Sequence, residues 1–107
     1  MAVRVRKARS KEEAKAVLKS IDIPEFDPDE SNLNMLGQAL LFEYKENGKI
    51  KLEIAYRPQR HYRNGVFEIF LNNAQSSNKD FKFSGENAFK TTFQMAKAWA
   101  LQQIDKL

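Results

Sequence analysis

Residues 38–57 read QALLFEYKENGKIKLEIAYR. Leu40, Phe42 and Tyr44 alternate with polar or small residues before Asn47-Gly48, and Ile50, Leu52, Ile54 and Tyr56 alternate after it. A period of two on both sides of an Asn-Gly pair is the pattern of a β-hairpin with one buried face. Its register follows from the side chains. A two-residue Asn-Gly loop would set Glu43 opposite Leu52 and Phe42 opposite Glu53, mixing apolar and charged faces. A three-residue loop at 46–48, with Gly48 left-handed, instead pairs Tyr44 with Ile50, Phe42 with Leu52 and Leu40 with Ile54, while Glu43 meets Lys51. That register is the expectation, and it leaves one apolar and one charged face.

Working outward, residues 66–71 are apolar apart from Glu68, as an interior strand would be, and 72–78 form a polar turn. A short edge strand at 80–84 carries Phe81 and Phe83 inward and Lys82 outward. From 86 to 105 the period changes to that of a helix: Phe89, Phe93, Ala96, Trp99 or Ala100, and Leu107 line one stripe, opposite Lys90, Gln94 and Lys97. On the other side of the hairpin, Ser10 and Glu13 form a capping box ahead of Ala14, Val17, Leu18 and Ile21, predicting a helix over 11–21. Asp27-Pro28-Asp29-Glu30 starts a second, short helix that Gly37 ends. The expected fold is α+β: a three- to four-stranded antiparallel sheet with N-terminal and C-terminal helices packed on one face. Residues 1–9 are expected as a flexible basic arm ahead of a single domain at 10–107.

The inventory of reactive groups is short. The 107 residues contain no cysteine and one histidine, His61, which removes thiolate chemistry, most nucleophile and base pairs, and every His or Cys metal cluster. Asp27, Asp29 and Glu30 lack the spacing of a calcium loop and are explained as caps. The four glycines stand singly at element boundaries, so none forms a phosphate loop. No enzyme activity, metal or cofactor is expected. With no apolar run long enough to span a membrane and no disulfide framework, a cytoplasmic address without membrane contact is expected.

The function read from these residues is therefore binding. Residues 56–64, YRPQRHYRN, combine Tyr56, Arg57, Arg60, His61, Tyr62 and Arg63 without an acid. Guanidinium groups can pair with phosphates and aromatic rings can stack on bases, so this stretch, read as a loop between strands, is a candidate nucleic-acid surface. Arg4, Arg6, Lys7 and Arg9 of the arm could extend it along a backbone of phosphates, DNA or RNA. The plain alternative is a solvated loop whose Tyr rings close the end of the core. The other class of partner is a protein, or a second copy of the chain. A regulator, inhibitor or assembly factor would use the open sheet face, the edge near Phe81 or the acidic segment 22–30, which holds five carboxylates and no base. The order helix, antiparallel strands, helix is similar to that of double-stranded RNA-binding domains in topology alone. Where such a domain opens its last helix with basic residues, this chain has Ser84-Gly85-Glu86-Asn87.

Overall fold

The computed structural model describes residues 5–22, 37–59, 61–85 and 88–107, without the side chains of 59 and 61–63. The chain runs β1 (Arg6–Ala8), α1 (Lys11–Ser20), β2 (Ala39–Glu46), β3 (Lys49–Gln59), β4 (His61–Leu71), β5 (Lys79–Ser84) and α2 (Ala88–Lys106). The described strands lie in one sheet in the order β1-β2-β3-β4-β5; β2 to β5 form an antiparallel meander and β1 joins β2 in parallel. The α+β class is as expected, but the sheet is larger and mixed. Residues 6–8 of the expected arm are its fifth strand. Arg6, Lys7 and Ala8 align with Phe42, Glu43 and Tyr44, and Ala8 is buried in the core. A parallel pair needs a crossover, and α1 lies in it. The short helix expected from Asp27 lies outside the described residues, as does most of the acidic segment.

α1 begins as its residues dictate. The Ser10 hydroxyl accepts from the Glu13 backbone N–H at 3.2 Å, and the Glu13 carboxylate accepts the Arg9 N–H at 2.7 Å, one residue before the partner of an ideal capping box. Ala14 and Leu18 of α1 and Phe93, Ala96, Ala100 and Ile104 of α2 are buried at helical spacing against one face of the sheet. Lys97 of α2 donates to the Ile21 carbonyl at 2.8 Å, and Gln94 to the Asp22 carbonyl at 2.6 Å. These contacts satisfy backbone acceptors left over where α1 stops and lock the two helices together.

The hairpin register differs from the expected one. Asn47 and Gly48 both have positive φ, 54° and 78°, and Glu46 pairs with Lys49, so the loop has two residues after all. One bulge restores the faces around Phe42 and Tyr44, and a second turns Leu40 away from them. An extra residue in β3, Lys51, brings Tyr44 opposite Leu52 and Phe42 opposite Ile54; an extra residue in β2, Leu41, then sets Leu40 opposite Ala55 and Ala39 opposite Tyr56. Each bulge moves everything beyond it to the other face. Leu40, expected in the core, therefore sits half-buried on the face away from the helices, and Glu43 faces Glu53 instead of Lys51.

The described residues of the stretch expected as a loop after Tyr56 are also strand. β3 continues to Gln59 and β4 starts at His61, with Pro58 opposite Gly65 and Gln59 opposite His61. The irregularity between those two pairs adds residues on β4 and accommodates a proline that has no N–H to contribute to a ladder.

Candidate functional site

The residues singled out from the sequence fall into different settings. Tyr56 is fully buried. Its ring stacks on Phe83 at 6.0 Å, meets Phe89 edge-on at 5.9 Å and lies 5.5 Å from Phe67. It also covers Gly65, where a Cβ atom would come within 2.6 Å of the ring. Tyr56 is thus a core residue and presents no ring to a base, a correction to its expected role. Burial pushes its phenol up to about 12, so it is uncharged at neutral pH. Arg57 lies on the opposite face and donates from Nε to the Glu68 carboxylate at 3.1 Å. Lys7 and Arg9 border a cleft at the hairpin end together with Lys45 and Glu43, while Arg6 is half-buried on the helix side of β1, the side of Ala8. Arg4, Arg60 and the side chains of His61, Tyr62 and Arg63 lie outside the described residues.

The face without a described helix carries a feature that the sequence did not announce. Leu40 from β2, Glu53, Ala55 and Arg57 from β3, and Glu68 and Phe70 from β4 line a groove of about 600 Å³, with Gln38 at one side. Its far wall is the loop 72–78, through Ala74, Gln75, Ser76 and Ser77. That loop is held in place by its own residues. Asn72 and Asn73 adopt positive φ, the Asn72 N–H donates to the Lys51 carbonyl at 2.9 Å, and the Asn78 side chain accepts the Leu71 N–H at 2.8 Å. One signal for the groove was legible: Leu40-Leu41-Phe42 is a run of three apolar residues that a plain alternating strand cannot bury on one face.

The charges in the groove are unequal. Glu68 accepts from Arg57 and from the Gln38 amide at 2.8 Å, so its carboxylate is doubly held. Glu53 forms no ion pair with a described residue. It stands directly across β2–β3 from Glu43 and across β3–β4 from Phe70. Burial, and then the Glu43 carboxylate, push its carboxyl above the ordinary glutamate value.

Among the described residues no group of His, Cys, Asp and Glu is placed to hold a metal, and no helix is long and apolar enough to cross a membrane. No protein-family model matches the chain, and neither a curated protein nor a solved structure matches it.

Proposed function

We propose that the chain is a non-enzymatic interaction module that receives a polypeptide segment of a protein partner in the groove on its open sheet face. The carrying observation is the groove itself. Leu40 and Phe70 remain half-exposed beside the buried Ala55 in a concavity whose volume lies in the range of ligand sites. An apolar floor with a few oriented polar groups is the composition that buries a side chain and fixes its direction. The polar members favour recognition over chemistry, because Glu68 is engaged by Arg57 and Gln38.

The test places a photocrosslinking residue at Gln75, on the groove wall, and separately at Met95, which is exposed on α2 on the helix side. A stoichiometric protein that survives nuclease treatment is expected to crosslink from position 75 and not from 95, and to be lost in a folded Leu40→Ser/Phe70→Ser variant. Equal crosslinking from both positions, or retention by the double variant, overturns the reading.

Nucleic-acid binding is kept as a second reading on one observation: Lys7, Arg9 and Lys45 border a single cleft against one carboxylate, Glu43. It expects an oligonucleotide to bind with an affinity that falls steeply with salt and falls further in Lys7→Ala and Arg9→Ala. Arg60→Ala and Arg63→Ala test the basic stretch in the same assay. The reading drops if binding is absent at low salt.

A further inference from the structure

We propose that the groove selects a partner segment by a cationic side chain, lysine or arginine, whose charged head sits at Glu53 and whose carbon stem lies along Leu40, Ala55 and Phe70. This rests on the groove being the docking site proposed above. The first support is charge complementarity. Among the described residues of the groove two carboxylates face one guanidinium, and that guanidinium is bound to Glu68, so Glu53 has no cation among them. Lys7 aligns with Glu43, while Lys45 and Lys51 lie toward the Asn47-Gly48 turn. These cations line the neighbouring clefts and are not part of the groove.

The second support is the fold's own cost at this point. Like charges directly opposite each other on one sheet face oppose folding, and Glu43 and Glu53 are held in that relation by the bulged register. A carboxylate that is part-buried and lacks a cation has lost hydration without gaining a partner, so an arriving ammonium or guanidinium recovers interaction energy that the free protein does not have. The third is shape. Phe70 is the cross-strand neighbour of Glu53, so a cation at that carboxylate lies beside an aromatic ring, with Leu40 and Ala55 next along the floor for the methylene stem. The chain as a whole carries +4, so diffuse electrostatics repel small cations and a preference for one identifies a local site.

The test uses 2-phenylethylammonium and its uncharged analogue 2-phenylethanol, titrated into the 15N-labelled full chain at neutral pH while amide shifts are followed. The ammonium compound is expected to shift the amides of Glu53, Ala55 and Phe70 with an affinity on the order of tenfold above the alcohol, the scale of one charge-assisted contact. Glu53→Gln is expected to erase that preference by lowering the ammonium compound's affinity to that of the alcohol. Equal affinities in the unaltered chain, or a preference that survives Glu53→Gln, overturn the cationic selection and leave the groove reading standing. If neither probe moves the groove amides, the groove reading falls too.

Discussion

The two faces of the sheet are built from the same strands and alternate residues, yet they end in different states. On the helix side Tyr56, Phe67, Phe83, Phe89 and Phe93 interlock within ring distances of 5.3 to 6.0 Å, the last two carried by α2. On the open side, Glu53 and Phe70 are register partners, Glu43 faces Glu53, and Leu40 is half-buried. One face spends its apolar surface on folding; the other withholds some of it from the fold. A bulge at Leu41 is enough to move Leu40 from the first group to the second.

Truncations are expected to separate the faces energetically. Tyr56→Ala is expected to cost about 3–5 kcal/mol, the range for removing a large buried ring. Phe70→Ala on the open face is expected to cost about 1 kcal/mol, since the ring is only half-buried. Urea denaturation of both variants makes the comparison, and equal losses would show that the open face is as much part of the core as the closed one.

A finer probe of the closed face is Gly65→Ala. The added methyl group would lie 2.6 Å from the Tyr56 ring, and that ring is pinned by Phe67, Phe83 and Phe89, so it cannot swing aside cheaply. Overpacking of this kind is expected to cost about 1–3 kcal/mol. A loss that disappears in the Gly65→Ala/Tyr56→Leu double variant would assign it to this contact.

How far these faces could be read from the sequence depends on what each rests on. The helix stripe at Phe93, Ala96 and Ala100, the cap at Ser10 and the apolar alternation of Leu52, Ile54 and Tyr56 are local patterns, and each appears in the structure. The hairpin register is not local. The turn that Asn47-Gly48 prefers conflicts with the side-chain pattern if strands are regular, and the chain resolves the conflict with a bulge at Lys51 instead of lengthening the loop, while a second bulge at Leu41 turns Leu40 to the open face. Bulges have no residue signature as strong as an Asn-Gly turn, so the one trace of the groove, the apolar run Leu40-Leu41-Phe42, did not by itself locate it. β1 was missed for a related reason: three residues, RKA, carry no period, and only pairing with β2 gives them a conformation. Tyr56 was assigned with its basic neighbours, although its position in the alternation already placed it with Leu52 and Ile54.

On the open face the Arg57–Glu68 pair is the first element to remove. Glu68 is mostly buried, with 14% of its side chain exposed, and Glu68→Ala leaves Arg57 and Gln38 without the carboxylate they share. The expected cost is about 1–2 kcal/mol, between a surface pair and a fully buried one, because Arg57 keeps 36% of its side chain in water. A cost near zero in urea denaturation would mean that the pair positions the groove wall without supporting the fold.

The smallest expected effect is also the sharpest, because it runs opposite to the others. Glu53→Gln removes one of two facing carboxylates and is expected to stabilise the folded chain at neutral pH by about 0.2–1 kcal/mol, the range for cross-strand pairs. The sign of its pH dependence follows from the raised carboxyl of Glu53. A group held above its unfolded value binds a proton more readily in the folded state, so its stabilising contribution is complete below the unfolded value of 4.5 and is lost as pH rises through the higher folded value. The advantage of Glu53→Gln should therefore grow across that window and reach its full size at neutral pH, and it should vanish in acid, where Glu53 is protonated in both states. Thermal melts of the two proteins from pH 4 to 7.5 read it directly. Destabilisation by Glu53→Gln at neutral pH would mean that Glu53 already has a cation in the free protein, and the open face would then hold no charge in reserve for a partner.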